Sequence, residues 1–284
     1  MRIIHLSDTH IGRTDGPEGR RVDAIDSLRL VLDELRHQRD VDVVVVTGDL
    51  ADAGAVEEYL IVRELVGGFA RSLDAPVLYT TGNHDERSAF TKVLGNGHAD
   101  AVLEYPGAER AAVSTVDGWR LVTLDSLVPG KVYGRLGAGQ LDWLRDVLST
   151  PAEHGTVLAL HHPPIALGVS ATQQVFGLRD PEGLAEAIRG SDVRAVLTGH
   201  FHLQLCGFLA SVPVWVTPGV VNRIDLATAP GTERAVRGAS ASLVELGGAT
   251  GPIFHTLHAR DPRAHETVYE LDEERTREII ARHG

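Results

Sequence analysis

The 284-residue chain has one cysteine, Cys206. No intramolecular disulfide can form, and no thiolate cluster can hold zinc. Lysine and arginine form no cluster that would track a phosphate backbone, and the net charge is −12. Long nucleic acid is therefore not an expected partner, because its binding rests on cationic neutralisation of phosphates. A small anionic substrate stays open, provided cations in the site offset the acidic surface. No apolar run is long enough to span a bilayer, so no integral membrane association is expected. The first residues show no basic-plus-apolar leader; a strand starts at about Arg2, and a cleaved leader would carry Asp8 and His10 away with it. A cytoplasmic location is the expectation. Against these absences stands a hydrophobic content of 43%, which supports a buried core and excludes disorder.

Residues 2–8 read as a strand buried on both faces. Glu18 to Gln38 carries Val22, Ile25, Leu28, Val31, Leu32 and Leu35 at a helical period. Val41–Val46 is a β-branched run of the kind covered on both sides. Val56 to Leu73 reads as a helix and Val77–Thr80 as a third buried strand, an alternation that implies parallel strands with helices packed outside. Arg87–Leu94 reads as a short helix. Asp117-Gly118 between Ala112–Val116 and Arg120–Asp125 signals a hairpin. Gly139–Leu148 is helical, Val157–Leu160 a strand, Pro181–Arg189 a helix and Val193–Thr198 a strand. Short strands follow at Leu203–Leu209, Val214–Val216, Ala241–Leu246 and Ile253–His258, with a last helix at Asp272–Arg282. Ala227–Gly238 is the most loop-like segment, from its Pro, Gly and Thr content. The expected architecture is α/β: two packed mixed sheets between helical layers, a four-layer α-β-β-α sandwich. With no repeat and no linker, one domain across 1–284 is expected, the chain after Gly248 being an appendage or dimerisation element.

Five polar clusters stand directly after five apolar runs: Asp8-Thr9-His10, Gly48-Asp49, Gly82-Asn83-His84-Asp85, His161-His162 and Gly199-His200-Phe201-His202. The carboxyl ends of strands are where ligand sites form in open α/β sheets. Asp8 and His10 are two apart, as are His200 and His202, and in extended chain such pairs point to one side. Asp8, His10, Asp49, Asn83, His161, His200 and His202 offer seven oxygen and nitrogen donors, more than the three or four of one zinc site. They suit two metals sharing a carboxylate. Imidazole and carboxylate without sulfur fit Mn, Fe, Zn or Co.

In this order the five clusters resemble the calcineurin-like metallophosphoesterase superfamily, whose pattern is Asp-x-His, Gly-Asp, Gly-Asn-His-Asp/Glu, His and Gly-His-x-His. The resemblance spans residues 8 to 202. The strings Ile4-His5-Leu6-Ser7-Asp8-Thr9-His10, Thr47-Gly48-Asp49-Leu50-Ala51-Asp52 and Leu160-His161-His162-Pro163-Pro164 are similar to bacterial class III cyclic nucleotide phosphodiesterases in particular. The resemblance implies Asp8, His10 and His202 on a first metal, Asn83, His161 and His200 on a second, and Asp49 between them. It implies His84 as the catalytic group facing the substrate phosphate, with Asn83 beside it. The expected activity is hydrolysis of small phosphodiesters with two divalent ions, Mn or Fe foremost, on 3′,5′- or 2′,3′-cyclic nucleotides. A dimer is a reasonable expectation from the same likeness. Glycerophosphodiesters, phosphomonoesters and a non-catalytic scaffold on the same fold are the rival readings. The loops Gly12–Gly19, Pro129–Leu136 and Gly168–Arg179, which would decide the substrate, are not legible.

Other polar residues read as structural. His162 reads as packing, and Asp52 and Asp85 as groups that orient neighbours. Asp125 reads as a strand-end acid, His5 as a core histidine and Arg13 as a solvated loop residue. His37, His98, His154, His255, His258, His265 and His283 read as surface or incidental. Glu270, Asp272, Glu273 and Glu274 suit a helix N-terminus.

Overall fold

A computed structural model of the chain describes residues 1–15 and 22–283. The apolar runs Arg2–Leu6, Val43–Thr47 and Val77–Thr80 lie side by side as parallel strands, with Ile3 opposite Val43 and Val44 opposite Val77. Ser240–Glu245 pairs antiparallel on the other side of the first strand, and Ile253–His258 closes that edge, giving a mixed five-stranded sheet. Val212–Val216, Val193–Thr198, Gly155–Ala159 and Trp119–Thr123 are parallel neighbours in a second sheet. Leu205–Leu209 flanks one edge, and Ala112–Val116 with Leu103–Glu104 the other, making seven strands.

Alternation along each strand explains the layers. Ile4, Leu6, Val44 and Val46 face one way, against Leu28, Leu35, Val62 and Val66 of the helices Ala24–Leu35 and Val56–Ser72. Ile3, Val43 and Val45 face the other way and meet Leu121, Val157, Ala195, Leu197 and Trp215 of the second sheet. The outer face of that sheet, through Val122, Leu158 and Val196, packs on Leu144 and Leu184 of the helices Ala138–Leu148 and Pro181–Ile188. Full burial of such a side chain contributes roughly 1.5–3 kcal/mol. Both faces of both sheets are thus apolar, which is why the strands read as continuous hydrophobic runs. The result is the four-layer α-β-β-α sandwich expected from the sequence. The Asp117-Gly118 turn carries φ of 46° and 77°, the left-handed pair that a two-residue hairpin demands.

Two element assignments are corrected. The first helix begins at Ala24 and not at Glu18: Asp23, in extended conformation, caps it by accepting from the backbone N–H of Ile25 and Asp26. Val22 leaves the helix face and enters a separate small core with Val221, Ala235 and Val268. Residues 18–21 of the expected helix lie outside the described residues. The loop-like segment Ala227–Gly238 contains a strand, Glu233–Val236, central in a three-stranded sheet between Arg223–Asp225 and Thr267–Leu271. One partner, Thr267–Leu271, is more than thirty positions away, the nearer one, Arg223–Asp225, is only three residues long, and the Pro230-Gly231 turn between them dominates the local composition. Among the described residues, no helix is long and apolar enough to cross a membrane.

Candidate active site

The carboxyl ends of three strands in the first sheet and two in the second open onto one cleft. Asp8 and His10 follow Arg2–Leu6, Asp49 follows Val43–Thr47, and Asn83 and His84 follow Val77–Thr80. From the second sheet, His161 follows Gly155–Ala159, while His200 and His202 follow Val193–Thr198. Hydrogen bonds stitch the two halves together. His161 Nδ1 donates to the Thr47 carbonyl at 2.7 Å, and the His200 backbone N–H donates to the Asp8 carboxylate at 3.0 Å.

The backbone at these positions is not extended. Asp8, His10, Asp49, His200 and His202 have φ of 57°, 42°, 47°, 67° and 50°. Five of the seven expected donors therefore occupy the left-handed region, which few residues other than glycine enter and which concentrates at functional sites. The paired i, i+2 residues converge because the chain curls at the strand end; the extended-chain argument from spacing does not describe them.

All eight expected residues come together. His161 Nε2 is 3.2 Å from Asp49 Oδ2, and His10 Nε2 is 3.5 Å from the same oxygen. His202 Nε2 is 3.3 Å and His161 Nε2 4.0 Å from Asp8 Oδ1. Asp8 and His161 are wholly buried at the floor, and the other six line the cleft. Despite these distances, the buried Nε2 atoms of His10, His161 and His200 and the Asn83 Oδ1 have no hydrogen-bond partner among the described residues. A buried polar atom left unpaired costs about 1–3 kcal/mol. Four in one place, beside two carboxylates, fit a set of metal donors. The sets Asp8, His10, His202 and Asp8, Asp49, His161 each bring ligand atoms within 4.8 Å of one another and could hold a metal ion, as could His10, Asp49, His84 and His161, His162, His200.

The outer nitrogens of the rings are held. His10 Nδ1 donates to Asp52 at 3.0 Å, and His202 Nδ1 donates to the Asn222 amide oxygen at 2.7 Å. His84 Nδ1 donates to the Asp52 carbonyl at 2.9 Å, and its backbone N–H donates to Asp49 Oδ1 at 2.8 Å. Such partners orient an imidazole and raise its basicity as a ligand. Asp85 accepts from the N–H groups of Gly82, Ala51 and Leu50 and from the Tyr59 hydroxyl, tying the Asp49 loop to the Asn83 loop. His162 is buried with Nδ1 2.8 Å from Ser126 Oγ and its ring 4.6 Å from that of His200.

Electrostatics sort these groups. Burial, reinforced by Arg13, pushes His10 down to about 3, and burial, reinforced by His161, pushes His200 down to about 3. Burial also opposes a charge on His161, but Asp49 outweighs it and lifts the ring to about 9. Burial would raise both carboxyls; His161 against Asp49, and His202 against Asp8, hold them well below the usual range instead. Without metal, the two carboxylates face His161 and His202, whose protonated forms Asp49 and Asp8 favour.

Some residues behave differently from their sequence reading. Arg13 is not a solvated loop residue: it lines the cleft with Nε 2.8 Å from Asp52. His98 is not on the surface but buried, between Ser114 Oγ and Thr123 Oγ1. Asp125 is structural, forked by Arg87 at 2.6 and 3.0 Å. Sequence reasoning missed Asn222, and also Gln173, Phe176, Glu233 and Tyr269, which line the same cleft. No spacing signal marked them, although Gln173 and Phe176 fall in a loop flagged as decisive.

The model of the calcineurin-like phosphoesterase family matches residues 1–204. The chain belongs to that family. It is a metal-dependent phosphodiesterase. A probable cyclic nucleotide phosphodiesterase of Rhodococcus erythropolis is 39% identical over 242 residues, 84% of this chain and 76% of the relative. A cAMP/cGMP dual specificity phosphodiesterase of Mycobacterium tuberculosis is 39% identical over 240 residues, 84% and 73% of the two chains. Among solved structures, a dimetal phosphatase from Danio rerio superposes with a TM-score of 0.60 at 15% identity, covering 92% of this chain and 99% of that one. At that identity the likeness concerns the phosphoesterase fold alone.

Proposed function

We propose that this phosphodiesterase hydrolyses cyclic nucleotides, 3′,5′ or 2′,3′, with two divalent ions, Mn or Fe foremost and Zn or Co as alternatives. The observation that carries the reading is the convergence of four partnerless buried donor atoms with Asp8 and Asp49 in one cleft. The relatives named for cyclic nucleotides, at 39% identity, support the substrate. Asp8, His10 and His202 hold one ion, Asn83, His161 and His200 the other, and Asp49 serves both. When bound, such a pair supplies positive charge for a phosphoryl group and lowers the pKa of water.

The chain's own residues do the rest. Asp52, Asn222 and the Thr47 carbonyl fix the Nδ1–H of His10, His202 and His161, so Nε2 is the ligating atom of each. His84, with Nδ1–H committed to the Asp52 carbonyl, has Nε2 left to hold a proton for the departing ester oxygen or to stabilise its charge. One domain across the chain is part of the same proposal. Ile253–His258 pairs along its length with Ser240–Glu245, and Thr267–Leu271 pairs with Glu233–Val236. The homodimer expected of the chain after Gly248 is a proposal too, tested by sedimentation.

The test is activity profiling of Mn²⁺-reconstituted protein on cyclic nucleotides, an aryl diester and an aryl monoester, with elemental analysis. About two ions per chain and preference for diesters are expected, since the extra charge of a monoester meets an acidic surface. One ion or none, or faster turnover of the monoester, would overturn the reading. A glycerophosphodiesterase would turn over that ester and leave cyclic nucleotides untouched.

A further inference from the structure

Beyond the metal donors, the cleft continues along a wall that, apart from the Asn222 amide oxygen held by His202, has no part in holding an ion. It is built by the short helix Ala171–Phe176, the loop before Arg223–Asp225, and the strands Glu233–Val236 and Thr267–Leu271. All but the helix lie past residue 204, where the family match ends. Three of its features point to a ligand. Gln173 is only 4% exposed, yet among the described residues its side-chain amide makes no hydrogen bond, and it lines the cleft. Asn222 is 1% exposed, and its Nδ2 is buried at the same cleft without a partner among the described residues. Phe176 lies three residues along the helix from Gln173, so the two share a face, and its ring centroid is 6.2 Å from that of His200.

Glu233 fixes this wall in place. Its carboxylate accepts the Thr172 hydroxyl at 2.6 Å and the Tyr269 hydroxyl at 3.0 Å, joining the helix that bears Gln173 to the C-terminal strand. Both oxygens are engaged, so Glu233 positions the wall while Gln173 is free to read a ligand. Its negative charge also discourages a second anionic group there.

An aromatic face beside an unpaired amide matches a planar heterocycle with adjacent donor and acceptor atoms. A glycerol or small alkyl ester arm gives neither a face to stack nor such an edge. Resting on the cyclic-nucleotide reading above, we propose that Phe176 and Gln173 form a nucleobase subsite, with Phe176 stacking on the base and Gln173 hydrogen-bonding its edge. A primary amide presents donor and acceptor together, and turning it over exchanges them. Adenine offers an amino donor beside a ring acceptor; guanine offers its carbonyl acceptor beside a ring N–H. One glutamine therefore accepts both, and the subsite selects for a base while discriminating weakly between the two purines.

The experiment compares wild type, Gln173→Ala, Phe176→Ala and Phe176→Trp, all metal-loaded, on 3′,5′-cyclic AMP, 3′,5′-cyclic GMP and methyl 4-nitrophenyl phosphate, whose leaving group needs no base subsite. Loss of one hydrogen bond should raise KM for both cyclic nucleotides about 5–10-fold in Gln173→Ala, with kcat held, because the contact serves ground and transition states alike. Phe176→Ala should raise it roughly 5–100-fold, the range of a lost stacking contact, and Phe176→Trp should restore it. Methyl 4-nitrophenyl phosphate should be turned over within about twofold of wild type by every variant, which also reports an intact fold and metal centre. Equal losses on all three substrates, or unchanged KM on the nucleotides, overturn the subsite while leaving the cyclic-nucleotide reading standing. A wild type active on the aryl ester but inert on both nucleotides, and on 2′,3′-cyclic AMP beside them, overturns that reading, and the subsite with it.

Discussion

Gly82 sets a limit on the site that can be measured directly. It opens the Gly-Asn-His-Asp cluster and lies over Asp49. A Cβ added there would stand 2.3 Å from Asp49 Oδ1 and 2.4 Å from the Asp49 backbone nitrogen. Ordinary contact begins near 3.4 Å, so the alanine needs about 1 Å that the structure does not have. The side-chain oxygen can rotate away, but the backbone nitrogen belongs to a loop pinned by Asp85 through Leu50 and Ala51. Gly82→Ala should therefore push the Asp49 carboxylate off its position and strain both loops. Overpacking of this kind costs roughly 1–3 kcal/mol of stability. A misplacement of about 1 Å at a reacting centre costs on the order of 10²-fold in rate. The assay is Mn²⁺ titration with a competing chelator alongside kcat/KM on an aryl diester and a thermal melt. Gly248→Ala, with nothing within 4 Å of its added Cβ, is the control. With Asp49 serving both ions as proposed, metal affinity should fall for both together. A Gly82→Ala enzyme with wild-type affinity and rate would refute the packing argument and the shared role of Asp49.

Three further outcomes are expected. His84→Ala should retain both ions and lose about 10²–10⁴-fold in rate on a cyclic nucleotide, with a smaller loss on an activated aryl diester; loss of an ion by elemental analysis would make His84 a ligand. Asn222→Ala, which frees His202 Nδ1, should weaken metal binding about 10–100-fold with the fold intact, and unchanged chelator competition would remove its orienting role. Because metal-free His161 stays protonated up to about 9, loading at pH 7 should release protons and affinity should climb with pH towards that value. Calorimetry in buffers of different ionisation enthalpy showing no release at pH 7 would count against it. The same ring, raised from 6.5 in the unfolded chain, stabilises the metal-free fold below pH 6.5 and ceases to do so as pH rises through about 9.

The parts of the molecule legible in the sequence are those where local pattern and tertiary environment agree. Strands such as Val43–Thr47 are covered on both faces, so their apolar runs announce both the element and its end. The clusters that follow them were readable because the first donor of each sits two or three residues beyond such a run. What the spacing could not reveal was the left-handed backbone at Asp8 or His202, since no residue type encodes it uniquely. Glu233–Val236 was invisible because one partner strand is more than thirty positions away, the nearer one is only three residues long, and the turn before it carries the compositional signal. His98 shows the same failure: its burial depends on Ser114 and Thr123, which only the folded sheet brings to it. Gln173, Asn222 and Glu233 are ordinary polar residues in ordinary surroundings until three separate segments meet at the cleft.

The left-handed turns at the strand ends also restrict what substitution can explore. Asp and His are among the few side-chain-bearing residues that tolerate that conformation with any frequency, and they are also the oxygen and nitrogen donors the cluster uses. Backbone and ligand chemistry thus draw on the same short alphabet at Asp8, His10, Asp49, His200 and His202. Glutamate preserves the charge but fits the curl poorly; glycine fits the curl and donates nothing. A lineage selected for heat resistance alone would drift towards glycine at these five positions, relieving about 1 kcal/mol at each, and would arrive at a sturdier protein stripped of five donors.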